Sequence, residues 1–208
     1  MRFGITMFPT DLSIGPVQLA TEAEARGLDS IWFPEHTHIP VSRRTPAPAG
    51  EPPAEEYKRS LDPFVAMAAV VGATERIRVG TGIALVAQRD PIVMAKEVAS
   101  LDLVSGGRLD LGIGFGWNVE EMADHGVEFT QRRAVVREKV LAMKALWTEE
   151  EAGFEGEFVR FEPSWSWPKP IQRPHPPLLI GGGGGPQLFE ALAAYAPGRV
   201  PLGGAGPP

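Results

Sequence analysis

Short, continuously apolar runs alternate with segments of helical periodicity along most of the chain, and this rhythm is what most restricts its fold. Six such runs are predicted to be strands: residues 3–7, 30–33, 78–86, 109–115, 177–181 and 199–202. The strands are apolar throughout rather than at every second residue. This favours a parallel sheet that helices cover on both faces.

Aspartate and proline mark the starts of helices between these strands. Asp62-Pro63 and Asp90-Pro91 each join a residue that caps a helix N-terminus to a proline that suits the first helical turn. The predicted helices cover residues 16–26, 62–74, 90–104, 130–147 and 187–195. Residues 42–60 and 164–177 are predicted to be long loops, and residues 154–161 a small surface hairpin.

Length and composition limit the class of protein. The 208 residues suffice for one domain with a substantial core. A net charge of −6, with scattered basic residues, argues against a nucleic-acid partner. The absence of cysteine excludes disulfides and thiolate metal ligands, and no apolar run is as long as a membrane span. We therefore expect a single cytoplasmic domain that acts on a small molecule, with no membrane partner.

The long loops and the run of glycines all follow predicted strands directly. In a parallel sheet the carboxyl ends of the strands lie on one side, so the active site is expected there. A closed barrel and an open, doubly wound sheet both have this property. The rhythm alone therefore leaves the choice between them open.

The glycines of residues 101–118 form the most specific pattern. Gly106 and Gly107 suit the left-handed turn that ends a helix. Gly112, Gly114 and Gly116 remove side chains from alternate positions, so that a flat ring could lie against the backbone. The alternative is that these glycines allow tight packing inside a small barrel.

Two of the four histidines lie in one loop after the second strand, within Glu35-His36-Thr37-His38. A histidine titrates near neutral pH and can transfer a proton in catalysis. The alternative is a structural histidine whose hydrogen bonds are satisfied at a strand end. Two histidines without a third clustered ligand do not predict a metal site.

Together with residues 79–83 and the glycines at 181–185, these motifs resemble the luciferase-like monooxygenase superfamily, over nearly the whole chain. The acid–histidine pair resembles the branch that uses the deazaflavin coenzyme F420. The resemblance implies an α/β fold of the (β/α)8 TIM-barrel type, here truncated after about six βα units, in a single domain covering residues 1–208. It also implies a cis peptide bond between Gly82 and Ile83.

The resemblance implies a deazaflavin-dependent oxidoreductase that transfers a hydride to or from an organic substrate. His36 is then the catalytic residue, and His38 and Trp117 belong to the substrate pocket. The cofactor-binding residues implied are Glu35, Thr81, Gly82, Ile83, Gly114, Gly116, Asn118, Gly182, Gly183 and Gly184. Two alternatives are an FMN-dependent monooxygenase and a truncated, non-catalytic remnant.

Two departures from the family pattern matter. Only six strands are countable where the family barrel has eight, so strands one and six would border an opening, and we expect a homo-oligomer that covers it. Trp117 stands near the place where the sugar-phosphate dehydrogenase branch carries a glutamate proton donor. This argues for an apolar substrate.

Overall fold

The computed structural model describes residues 1–47, 55–182 and 185–200. Within these ranges the strands are β1 (Gly4–Thr6), β2 (Ser30–Phe33), β3 (Arg78–Thr81), β4 (Leu109–Ile113), β5 (Ala152–Glu155), β6 (Arg160–Ser164), β7 (Leu178–Gly181) and β8 (Gly198–Val200). The α-helices are α1 (Pro16–Ala25), α2 (Glu55–Arg59), α3 (Pro63–Val71), α4 (Pro91–Val104), α5 (Val119–Asp124), α6 (Arg132–Thr148) and α7 (Pro186–Ala194).

Six of the strands form one parallel sheet in the order β1-β2-β3-β4-β7-β8, while β5 and β6 form a separate antiparallel hairpin. The sheet curls into a half-barrel, which confirms the TIM-barrel-like fold and decides against an open, doubly wound sheet. Its concave side holds a cavity of about 450 Å³. Residues from both edges of the sheet line this cavity, among them Thr6 and Trp32 at one edge and Val200 at the other.

The two faces of the sheet differ in burial. Ile31, Val79 and Leu111 have no exposed surface and belong to the core that the helices cover. Several residues of the other face are partly exposed, including Arg78 and Asp110, which form an ion pair at 2.6 Å. The prediction of strands buried on both faces therefore holds for one face only.

The longest helix, α6, carries the apolar stripe that its periodicity predicted. Val136, Val140, Met143 and Trp147 are at most 1% exposed. The Trp147 indole N–H donates to the carbonyl of Ala95 on α4 at 2.9 Å, so the ring is buried without an unsatisfied donor. Burial of each such side chain stabilises the fold by about 1.5–3 kcal/mol.

Several predicted boundaries are wrong, and for local reasons. A five-residue helix, α2, lies in the expected loop 42–60, and the six-residue α5 was not predicted, because one or two turns are too short to show periodicity.

The third strand stops at Thr81, and a 3₁₀ turn follows at Val86–Gln88. The sixth sheet strand is described from Gly198 to Val200, and residues 201–202 of its predicted range lie outside the described residues. The first strand was expected to be buried, but β1 is an edge strand with Gly4 and Thr6 exposed.

The glycine at 112 is required by the sheet itself. A Cβ at this position would lie 2.0 Å from the backbone oxygen of Thr81. This supports the alternative explanation for Gly112, that the glycine allows tight packing inside the barrel.

We expect Gly112→Ala to lower the free energy of unfolding by about 1–3 kcal/mol, because inserting atoms into a packed site forces the backbone to shift. Gly72→Ala is the matched control, since a Cβ there meets nothing closer than 3.7 Å and the backbone is helical. Urea denaturation of both variants gives the comparison. Equal stability of the two would show that β3 and β4 can separate at little cost.

Candidate active site

A cleft of about 580 Å³ lies at the carboxyl ends of five parallel strands. Phe8 follows β1, His36 follows β2, Gly82 follows β3, Gly114 follows β4 and Gly182 follows β7. This is the face where barrel enzymes carry their catalytic residues. Eight of the residues predicted for the site line the cleft: Glu35, His36, Gly82, Ile83, Gly114, Gly116, Trp117 and Gly182.

His36 is held by a carboxylate from the other side of the cleft. Its Nδ1 lies 2.9 Å from Oε2 of Glu121, and the two residues are 8% and 1% exposed. The other oxygen of Glu121 accepts the backbone N–H of Thr37 at 3.2 Å. The carboxylate therefore fixes the Nδ1–H tautomer, and no described residue is hydrogen-bonded to Nε2. Nε2 is left to exchange a proton with a ligand.

Asn118 supports this pair instead of lining the cleft. Its side-chain oxygen accepts the backbone N–H of Glu121 at 3.1 Å and caps the N-terminus of α5. The cap fixes the first turn of the helix, which carries Glu121. Asn118 thus orients Glu121, and Glu121 orients His36.

Glu35 lines the cleft, but its carboxylate is occupied elsewhere. It accepts from the backbone N–H of Leu85 at 2.6 Å and from Nε of Arg89 at 2.7 Å. Arg89 also contacts Asp62 and Glu97. Burial lowers the pKa of Arg89, but the charges and hydrogen bonds of Glu35 and Asp62 raise it above its ordinary value overall. Glu35 therefore braces the loop that carries His36.

An aromatic wall surrounds His36. The ring centroids of Tyr57 and Trp117 lie 5.1 and 5.6 Å from that of His36, and Phe8 stacks on it at 6.5 Å. Phe8 and Tyr57 are also 4.9 Å apart. Tyr57 belongs to α2, so the segment expected to be an active-site loop does reach the cleft. A flat, apolar group suits such a wall.

The peptide bond between Gly82 and Ile83 is cis, as the resemblance implied. Both residues line the cleft, opposite Gly114, where a Cβ would lie 2.5 Å from the side chain of Ile83. Gly116 has φ of +75°, a conformation that favours glycine. This wall of the cleft is therefore largely backbone.

Four further predicted site residues are placed differently or lie outside the described ranges. Thr81 is fully buried and donates to the carbonyl of Gly112 at 2.6 Å. His38 lies on the surface, where its Nε2 is 3.0 Å from Asp124. Neither is among the described residues that line the cleft. Gly183 and Gly184 lie outside the described residues.

Sequence analysis missed several residues of the cleft. Glu121 carried a weak signal, as an acid in the first turn behind the capping residue Asn118. Arg132 and Arg133 also line the cleft, at the start of α6, and nothing in their spacing pointed there. The remaining unpredicted lining residues are Phe8, Pro34, Tyr57, Leu85, Phe115 and Gly181.

Two further properties concern the described ranges only. No group of three or more His, Asp or Glu residues there could hold a metal ion. No helix there is both long and apolar enough to cross a membrane.

Comparison with known proteins places this geometry in a family. The chain is 46% identical over 203 residues to an uncharacterized protein of Mycobacterium tuberculosis, covering 96% of this chain and 72% of the relative. It is 31% identical over 179 residues to an F420-dependent glucose-6-phosphate dehydrogenase of Amycolatopsis mediterranei, covering 84% and 48% of the two chains.

A solved monooxygenase from Streptomyces bottropensis superposes with a TM-score of 0.78 at 33% identity, covering 93% of this chain. The chain spans 57% of that structure's length and 48% of the dehydrogenase's. The luciferase-like monooxygenase profile matches residues 15–208. Fold, cleft and sequence agree, and the chain belongs to the luciferase-like monooxygenase family.

Proposed function

We propose that the chain is an oxidoreductase that uses coenzyme F420, with His36 as its acid–base residue. The observation that carries the proposal is the His36–Glu121 pair, which presents a free Nε2 beside a glycine-lined, aromatic cleft. The likeness to an F420-dependent dehydrogenase supports the choice of cofactor. Trp117, which lines the cleft, favours an apolar substrate.

The cleft fits a flat ring system with a phosphate-bearing side chain. Its volume of about 580 Å³ suits a ligand of that size. Gly82, Ile83, Gly114 and Gly116 would lie against the ring, where added side chains would take up the space. The backbone of Gly182 would approach the phosphate near the N-terminus of α7, with Gly183 and Gly184 proposed as its neighbours. The bound ring supplies the hydride chemistry.

The chain's own contribution is proton transfer and exclusion of water. When a substrate is oxidised, a proton leaves together with the hydride, and Nε2 of His36 would take it. In the reverse direction Nε2 would return that proton. Glu121 stabilises the positive charge that His36 carries meanwhile. Phe8, Tyr57 and Trp117 would hold the substrate's apolar part and keep water away.

An FMN-dependent monooxygenase is the second candidate, and the likeness to the monooxygenase from Streptomyces bottropensis favours a reaction with oxygen. Reduced FMN reacts readily with oxygen and the reduced deazaflavin poorly, so the rate of reoxidation in air separates the two. The third candidate is a non-catalytic remnant. It would bind either cofactor weakly or not at all.

Titration of the purified chain with F420, FMN and NAD tests the proposal. We expect micromolar binding of F420 and weaker binding of NAD, because the glycine segment suits a single phosphate group. Isothermal calorimetry measures all three affinities. Equal or tighter binding of NAD would contradict the assignment.

Glu121→Gln tests the positioning of His36. Hydrogen bonds to charged groups contribute about 1.5–3 kcal/mol, so turnover should fall about ten- to hundredfold while the cofactor Kd stays unchanged. Asp124→Asn is the control, because it removes one charge from the same helix at the surface. If the two variants had equal kcat, Glu121 would have no role in the reaction.

Self-association and location remain predictions. The sheet has β1 and β8 at its edges, and Phe3 beside β1 is 60% exposed. We propose that copies of the chain associate along this edge, which light scattering would detect as a mass above that of one chain. The cytoplasmic location also remains a prediction.

A further inference from the structure

Two adjacent arginines line the same cleft as His36. Arg132 and Arg133 begin α6, and the cleft is also lined by Phe115, Gly181 and Gly182. Neighbouring residues on a helix point about 100° apart, so the helix must present its first turn to the cleft for both to reach it.

The charges of these two arginines are not neutralised within the described part of the chain. Arg132 donates through Nη1 to the carbonyl of Phe129 at 2.7 Å, but its buried Nε has no hydrogen-bond partner. Arg133 forms no hydrogen bond or ion pair with a described residue. In contrast, Arg78 and Arg89 each pair with carboxylates. Buried polar groups are normally hydrogen-bonded, so an unpaired one indicates a missing partner.

Aromatic rings hold both guanidinium groups in place. The guanidinium carbon of Arg132 lies 3.7 Å from the ring centroid of Phe129, and that of Arg133 lies 4.5 Å from the ring centroid of Phe115. A guanidinium group that stacks on a ring keeps its N–H edges available, and those edges suit the two oxygens of an oxyanion. Burial, together with the charge of Arg133, holds the pKa of Arg132 below its ordinary value, and a bound anion would relieve that cost.

The other charges at the cleft do not offset this pair. Glu35 is already paired with Arg89, and Glu121 with His36. The cleft therefore has an aromatic region around His36 and a cationic region at Arg132 and Arg133.

We propose that Arg132 and Arg133 bind an oxyanion, so that the cleft selects a ligand with a flat apolar body and a negatively charged group. This inference rests on the proposed function, because it concerns the same cleft. The oxyanion belongs either to the phosphate end of the cofactor or to an acidic group of the substrate. Phosphates and carboxylates share the geometry that the arginines recognise.

The test compares FMN with riboflavin, which has the same ring but no phosphate. The protein is the full chain with the double substitution Arg132→Gln and Arg133→Gln. If the oxyanion is the cofactor's, the Kd for FMN should rise at least about tenfold, while that for riboflavin should not change. Arg137→Gln, which removes one charge from the exposed side of the same helix, should bind both as the unmodified chain does.

If the oxyanion is the substrate's, the double variant should bind FMN normally. The FMN-saturated chain should then bind benzoate more tightly than benzamide, and the variant should lose that preference. Normal FMN binding together with an unchanged preference for benzoate would overturn the proposal.

Two further measurements keep the outcome decisive. If the double variant does not fold, Arg133→Gln alone replaces it, because Arg133 makes no hydrogen bond with any described residue that the substitution would remove. If the unmodified chain binds neither FMN nor F420, the proposed function fails. Titration with inorganic pyrophosphate still tests the arginines, and equal pyrophosphate binding by chain and variant would overturn their role.

Discussion

Replacing His36 by asparagine should lower turnover by about 10²–10⁴, the usual effect of removing a general acid or base. Asparagine can still donate a hydrogen bond to Glu121, so the buried carboxylate keeps a partner and the fold should survive. The asparagine amide cannot accept and return a proton as Nε2 of histidine does. The measurement is the initial rate of cofactor absorbance change with any substrate that the unmodified chain converts.

His125→Asn is the matched control for this experiment. His125 is exposed at the end of α5, and among the described residues its Nε2 is hydrogen-bonded to the hydroxyl of Thr37 alone, at 2.8 Å. Its replacement should leave both kcat and the cofactor Kd unchanged. If His36→Asn kept activity within a few-fold of the unmodified chain, His36 would have no role in proton transfer.

Replacing Arg89 by methionine should lower the free energy of unfolding by about 3–5 kcal/mol, because it leaves the buried carboxylate of Glu35 without its cation. The Glu35 side chain is 2% exposed, and Nη2 of Arg89 lies 2.6 Å from it. A loss of this size is a large part of the roughly 5–15 kcal/mol that stabilises a typical domain. Thermal and urea denaturation both measure it.

Two companion variants identify the cause of that loss. Arg160→Met removes a surface pair with Glu155, whose side chains are 70% and 81% exposed, and should change stability little. Adding Glu35→Gln to the Arg89→Met variant removes the uncompensated charge and should recover part of the stability. If Glu35→Gln recovered nothing, the loss would come from packing of the Arg89 side chain on Phe64 and not from the buried charge.

Arg89 affects the candidate active site through its ion pair with Glu35. Glu35 immediately precedes His36, so the ion pair fixes the backbone from which the histidine extends. Glu35, the acid of the predicted acid–histidine pair, therefore holds the loop that carries His36 in place. The acid that contacts the imidazole ring of His36 is Glu121. The sequence motif placed Glu35 beside His36 in the site, but it did not indicate Glu121 as the carboxylate that contacts the ring, because sequence adjacency does not determine which carboxylate faces a side chain.

The long helices and the core were largely predictable from periodicity. The 3.6-residue spacing of Val136, Val140 and Met143 corresponds to the buried stripe of α6, and the aspartate caps at 62 and 90 begin α3 and α4. These features depend on local geometry and on hydrophobic burial, which short stretches of sequence encode. The carboxyl ends of the strands likewise located the cleft.

Only the tertiary structure decided the arrangement of the site. His36 and Glu121 are 85 residues apart, and Arg132 lies on a third segment, so their proximity depends on how the sheet curls and where each helix packs. The glycines in β4 and directly after it make the same point. Their alternation was visible in the sequence, but Gly112 serves contact between strands whereas Gly114 and Gly116 line the cleft. Residue types and spacing determined the elements and the face of the site, whereas the contacts between distant elements determined which side chains can act together.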